Sequence, residues 1–179
     1  GRVWADRSGT HNVPESNVWN GALLHRAAAI YPDEARAEDY RRKANLFLVN
    51  AISIPSDSTS EALIAGRPVS EWHVGANFCE SYALNHHGYL NIGYMVICLS
   101  NVAMLHFMFR RRGVEAPETL YHHAEDLWNV LKFFIFPNGR LLRIGGDTRI
   151  RYCYCQDYLI PVCLLAADRF RDTGAIRFE

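Results

Sequence analysis

From Glu15 to Tyr31 apolar side chains return at helical spacing, through Val18, Trp19, Ala22, Leu23, Ala27 and Ile30, until Pro32 stops the run. Asp33 can cap a following helix. In it Ala37, Tyr40, Ala44, Phe47 or Leu48, and Ala51 trace a second stripe, with Arg36, Glu38, Arg41, Arg42 and Lys43 mostly on the other face. So short a turn forces two antiparallel helices, a hairpin over residues 15–52. Periodicity then fades. Residues 53–70 are rich in Ser, Pro, Asp and Gly, and the loop they open extends to residue 90. Loops of that length inside compact domains usually carry function or lack order.

The segment from Ile92 to Phe109 is apolar nearly all round and close to the lower length limit for crossing a bilayer. Ser100, Asn101 and His106 within it, Gly93 at its start and amphipathic neighbours on both sides favour a helix buried on both faces instead. Gly113 ends this helix, and Pro117 sits where the next can begin, with a stripe of Leu120, Ala124, Leu127, Trp128, Leu131 and Phe134. Pro137-Asn138-Gly139 is a turn, and a polar stretch from Arg140 to Arg151 leads to a last helix carrying Tyr158, Leu159, Val162, Cys163, Ala166 and Phe170. Pro161 either kinks that helix or marks its first turn. The pattern predicts an all-α fold without convincing strands: helical hairpin 15–52, loop 53–90, helical hairpin 91–136, loop 137–152, helix 153–171. Two concentric layers would give the alternation, with inner helices dry on both sides, outer helices wet on one, and long loops on one rim.

Composition narrows the function classes. The 179 residues suffice for one sizeable core. Nineteen basic and nineteen acidic residues cancel, so charge gives no case for nucleic acid, and Arg110-Arg111-Arg112 reads as a solvated helix end. The five cysteines (Cys79, Cys98, Cys153, Cys155 and Cys163) follow neither a disulfide scaffold nor a zinc-pair spacing, which favours a reduced, cytoplasmic setting. The chain opens at Gly1 with what reads as mid-domain sequence and no signal peptide, the expectation for a piece of something larger.

The densest chemistry lies in Asn85-His86-His87-Gly88-Tyr89-Leu90-Asn91-Ile92-Gly93-Tyr94. Two amides, two imidazoles and two phenols stand at the mouth of the apolar helix, suited to holding a negative group while a proton moves nearby. The plainer alternative is a helix-capping loop whose rings satisfy one another. Trp72 and His73 are candidates to line a cleft, since sugar rings stack on aromatic faces. His106, His122 and His123 invite a zinc reading. Adjacent residues on a helix, however, point about 100° apart, so they are read as structural or surface groups. Gly145-Gly146-Asp147 follows no clear strand, so no nucleotide site is expected.

Three motifs together resemble a known family. Glu15-Ser16-Asn17-Val18-Trp19-Asn20-Gly21-Ala22, the Asn85-His86-His87-Gly88 turn, and Phe136-Pro137-Asn138-Gly139 followed by tyrosines are similar to the heparinase II/III and alginate lyase group of polysaccharide lyases. That resemblance implies part of an (α/α) toroid, without the family's β-sandwich. It implies an acidic polysaccharide or oligosaccharide as substrate, cleaved by β-elimination. Asn85 and His87 would then bind the uronate carboxylate, with His86 as an alternative donor. Tyr152 would transfer the proton, with Tyr154 as the alternative; Cys153 stands where the family often has histidine, and His86 where it often has a second asparagine. Tyr89, Arg143, Arg149 and Arg151, beside Trp72 and His73, would contact substrate. Family metals sit in the sandwich domain, so neither metal nor cofactor is implied, nor a nucleic-acid or membrane partner. Half a toroid would also leave the helix over 92–109 open and prone to self-association. Two rivals stand beside this reading. A toroid glycoside hydrolase of the unsaturated-glucuronyl type would need a general acid among Glu80, Asp147 and Asp157. A non-catalytic glycan-binding or interaction module would keep Asn85, His87 and Tyr152 apart or buried.

Overall fold

Helix α1 (Pro14–Ile30) begins on a proline, whose fixed φ and missing N–H suit a first helical position. It closes where Tyr31 donates its N–H to the Ala27 carbonyl, and Pro32 follows. Helix α2 (Ala37–Val49) starts later than Asp33 suggests. The amides of Glu34 and Ala37 go to the carbonyls of Tyr31 and Glu34, two tight turns in succession, so the α ladder opens only at Arg36. The computed structural model describes Val3, residues 12–142 and residues 156–178, and among these the fold is all-α, with two very short hairpin ladders.

Glycine 21 lets α1 and α2 touch: a Cβ on Gly21 would sit 2.8 Å from the Leu48 side chain and 3.2 Å from the Ala44 carbonyl. The inward line of α1 is Asn17, Gly21, His25 and Ala28. The polar members fit there because Asn17 donates to the Asn50 carbonyl (2.7 Å) and His25 pairs with Asn45 (3.0 Å). Val18 and Ala22 are buried, whereas Trp19 and Leu23 of the expected stripe are 50% and 64% exposed.

Helix α4 (Ile92–Arg111) is the centre of the core; it follows the one-turn helix α3 (Val69–Trp72) and a long loop. Twelve of its residues are buried, including Met95, Val96, Cys98, Leu99, Val102 and Leu105. Among the described residues it is the helix long and apolar enough to cross a membrane, and 67% of that apolar window is buried inside the domain. It is therefore covered, not an open inner helix. Its outward apolar side is limited to Met104 with the half-buried Phe107 and Met108. Asn91 caps it by accepting from the Tyr94 amide (3.2 Å). At the far end Gly113 (φ 64°) donates to Arg110 and Val114 to Phe109, the paired bonds of a Schellman close.

The stripe after Pro117 is not one helix. Glu118–Tyr121 is a 3-10 turn, His123 takes a left-handed conformation (φ 53°), and only then does α5 (Ala124–Leu131) begin. Leu120, Ala124, Leu127, Trp128 and Leu131 are all buried despite that break. The Pro137-Asn138-Gly139 turn closes through the Gly139 amide to the Phe136 carbonyl (2.8 Å), with Gly139 at φ 77°. Helix α6 (Leu159–Asp168) holds Pro161 in its first turn, where its missing N–H breaks no ladder bond.

Two contacts give the relative direction of α1 and α4. Asn12, just before α1, bonds the Asn85 carbonyl just before α4 (2.6 Å). Farther along both helices, His25 meets Phe109 edge to face, with ring centroids 6.2 Å apart. The two helices therefore run the same way, side by side. The C-terminal ends of α4 and α6 also meet, where His106 bonds Asp168 (2.8 Å).

Candidate functional site

The loop 50–91 is organised by amides. Asn50, fully buried, donates to the carbonyls of Leu46 and Trp72 (2.8 Å each) and accepts from the Val74 amide (2.7 Å). Its own carbonyl receives Asn17 and Asn77 (2.7 Å each). Asn12 continues the chain of amides to the Asn77 and Asn85 carbonyls (2.8 and 2.6 Å). Buried polar groups persist only when partnered in this way, and the result is a stiff floor.

On that floor sits a hairpin that the sequence pattern did not announce. Strands β3 (Asn85–His86) and β4 (Tyr89–Leu90) pair antiparallel, joined by His87 (φ 60°) and Gly88 (φ 84°). Positive φ at both central positions matches the right-handed twist of the strands; glycine enters that region freely, and histidine is among the side chains that tolerate it. A similar two-residue turn, Ala65-Gly66, joins β1 (Leu63–Ile64) to β2 (Arg67–Pro68).

The first hairpin-turn residues divide into a hidden and an open set. His86 is buried and donates from Nδ1 to Asn12 Oδ1 (2.8 Å). Its ring lies against those of His87 and Tyr94, at centroid distances of 4.1 and 4.2 Å. Asn85 and His87 are exposed, two residues apart on one turn. His86 thus positions the turn and does not face a substrate as an alternative donor; with two ring neighbours and a buried amide partner it has no open side to offer. The capping alternative accounts for Asn91, His86, Tyr94 and the His87 ring that lies against them, and not for Asn85.

Other sequence candidates fall differently. Trp72 is buried against Val49 and Val69, gives its Nε1–H to the Ile64 carbonyl (3.0 Å) and carries Arg67 over its ring. It fills a small second core, so no ring face is open for a sugar. His73 is half-buried, and Tyr89 is half-buried on β4. Glu80 is exposed but holds the Ser56 amide and hydroxyl (2.6 and 2.9 Å); Asp157 is exposed. Tyr152, Tyr154, Arg143, Arg149, Arg151 and Asp147 lie outside the described residues.

A second polar cluster escaped the sequence reading. Asp57 Oδ1 is 2.8 Å from His123 Nε2, and its Oδ2 is 3.1 Å from His122 Nε2 and 3.0 Å from the Ile54 amide. The two imidazoles converge because they do not share a helix: His122 closes the 3-10 turn and His123 is left-handed. The 100° argument therefore does not apply to them. His123 Nδ1 is 3.1 Å from Asp126 Oδ2 and 3.2 Å from the Tyr82 hydroxyl. Burial alone would raise the Asp57 pKa, but the bonds from His122 and His123 outweigh it and hold the carboxyl well below its usual range. Burial would lower His123, and Asp57 with Asp126 reverses that, so its pKa is raised. Burial first, and Asp126 next, push the Tyr82 phenol up to about 12. His106 is elsewhere, fixed between the Tyr121 hydroxyl (2.6 Å) and Asp168; it is a satisfied core histidine.

The chain matches no protein-family model, no curated protein and no solved structure.

Proposed function

We propose that this chain is the helical part of a polysaccharide lyase that cleaves uronate-containing glycans by β-elimination, with Asn85 and His87 as its carboxylate-binding pair. The observation that carries the reading is the hairpin turn, which presents one amide and one imidazole together to solvent on a rigid, hydrogen-bonded floor. A partial (α/α) toroid suits the helices. In such a ring the like-directed neighbours α1 and α4 would serve as successive inner helices, joined through α2. The first and last helices expose apolar faces, Trp19 and Leu23 on α1 and Ile160 and Leu164 on α6, where further hairpins of a ring would pack.

In this reaction a base removes the C5 proton beside the uronate carboxylate, charge spreads into that carboxylate, and the C4 oxygen leaves. Donors fixed on the carboxylate gain strength as the charge grows, so they lower the barrier more than they tighten the ground state. The Asn85 amide and the His87 ring are such donors, and the amide floor spares them reorganisation. Tyr152, with Tyr154 as the alternative, serves as the proton-transfer group, helped by the arginines Arg143, Arg149 and Arg151 of the same segment. Of the acids a hydrolase would need, Glu80 has both carboxylate oxygens engaged by Ser56, one by its amide and one by its hydroxyl.

The test is a panel of alginate, heparan, hyaluronan and pectic substrates followed by the ultraviolet absorbance of a new C4–C5 double bond. A rise that disappears in Tyr152→Phe supports the reading, and new reducing ends without absorbance would replace it with hydrolysis.

A further inference from the structure

We propose that Asp57, His122 and His123 form a binding site for a divalent transition ion of the zinc class. The inference stands apart from the lyase reading, because it uses none of the residues assigned to the carboxylate or the proton. The donor atoms carry it. Each of the three residues offers one ligating atom, and the three atoms lie within 4.8 Å of one another. The closest Asp57–imidazole separations are 2.8 and 3.1 Å. Donors bound to one ion at about 2.0–2.1 Å stand about 3.3 Å apart; the two separations involve different oxygens of Asp57, so the trio has to draw in from within 4.8 Å to take one. Two imidazole nitrogens and one carboxylate oxygen suit zinc and its late first-row neighbours better than magnesium or calcium, which prefer oxygen alone.

A second observation concerns the far side of His123. Its Nδ1 faces Asp126 Oδ2 at 3.1 Å, so a carboxylate holds that nitrogen protonated and aims Nε2 at the shared centre. Carboxylate–histidine pairs of this kind orient zinc ligands and make them more basic. The Tyr82 hydroxyl, 3.2 Å from the same nitrogen, steadies the ring. His73 Nδ1 is buried with no hydrogen-bond partner, but His73 does not join the three-residue group. Asp57 is buried and His123 is partly open, so an ion can enter from the His123 side.

In the metal-free state both nitrogens of His123 face carboxylates, Asp57 and Asp126, and His122 also gives its Nε2–H to Asp57. An ion would take the Nε2 lone pair of each ring: the Nε2 proton of His123 leaves to buffer while its Nδ1–H bond to Asp126 survives, and the Nε2 proton of His122 moves through solvent to its own Nδ1. The ion would then tie the loop around Pro55–Thr59 to the start of α5, with a remaining coordination position left for water or a substrate oxygen.

The test strips the chain with chelator, adds zinc, and follows binding by competition with a chromophoric chelator, by titration calorimetry in buffers of different ionisation enthalpy, and by thermal melting. The expected result is one zinc per chain, proton release on binding, and a higher melting temperature with zinc. His123→Ala abolishes stoichiometric binding, and Asp126→Asn weakens it by about 10–100-fold. Asp57→Asn does the same as His123→Ala; should it fail to fold, His123→Ala, on the more exposed ring, decides alone. A chain that retains no zinc at one equivalent, or one whose affinity is unchanged in His123→Ala, would overturn the proposal.

Discussion

The molecule contains two adjacent histidine pairs, His86-His87 and His122-His123, and local geometry makes them near twins. Ring centroids are 4.1 and 4.0 Å apart, and in each pair the second residue has positive φ, 60° and 53°. Their partners differ. The first pair is held by amides, with Asn12 on His86 Nδ1 and the backbone of β4 opposite, and it turns His87 and its neighbour Asn85 out to solvent. The second is held by carboxylates, Asp57 on both Nε2 atoms and Asp126 on one Nδ1. A solvent-exposed imidazole such as His87 suits an incoming anion, whereas imidazoles that face carboxylates draw cations, either a proton or a metal. The same dipeptide therefore suits opposite ligands, and the difference comes from residues far off in sequence.

The largest way to break the comparison is to remove the carboxylate of the second pair. Asp57→Ala leaves two imidazoles and the Ile54 amide without their shared acceptor and costs about 3 kcal/mol or more of stability, measured by denaturant unfolding of metal-free protein. A change below about 1 kcal/mol would show the carboxylate to be incidental. Next in size, Asn85→Ala on the first pair leaves folding intact and lowers the β-elimination rate about a hundredfold, roughly 2.7 kcal/mol in the barrier. Equal rates for mutant and parent would remove Asn85 from the site.

Acidity separates the pairs further. The folded Asp57 pKa lies below its ordinary 3.8, so its contribution is present above that value and is lost as pH falls through the depressed one. The folded His123 pKa lies above its ordinary 6.5, so its contribution is complete below that value and fades as pH rises through the raised one. Metal-free protein should therefore show an excess of stability between those two limits relative to Asp57→Asn, read from melting temperatures across pH. A constant difference at every pH would contradict it. The smallest effect concerns the turn alone. A Cβ at Gly88 meets no atom within 4 Å, so Gly88→Ala costs only the left-handed backbone, about 1–2 kcal/mol. Loss of more than about 3 kcal/mol would mean that the hairpin supports more of the core than its own ladder.

How far these pairs were legible in the sequence follows from the same contrast. The helices were readable because their signals are local: Pro32 and Gly113 as stops, the all-round apolar run of α4, and Pro161 in the first turn of α6. Asn85 and His87 were legible as a dense polar run, although the two-residue strands on either side are too short to show alternation. Trp72 was misread because an indole beside a histidine looks the same in sequence whether it faces a cleft or Val49 and Val69. The Asp57 cluster stayed hidden because its members are 65 and 66 residues apart, and because a left-handed His123 interrupts what reads as one helical stripe. Asn12 carries no local signal at all; its role appears only once the Asn77 and Asn85 carbonyls come together.

The central claim is that the Asn85–Gly88 turn binds a uronate carboxylate during β-elimination. The most direct measurement is the absorbance of unsaturated product from uronate polysaccharides, compared between the parent chain and His87→Ala at matched folded concentration. The account predicts product from the parent and a loss of about a hundredfold or more in the variant. Product formed equally well by His87→Ala, or none from the folded parent on any uronate polymer, would contradict it.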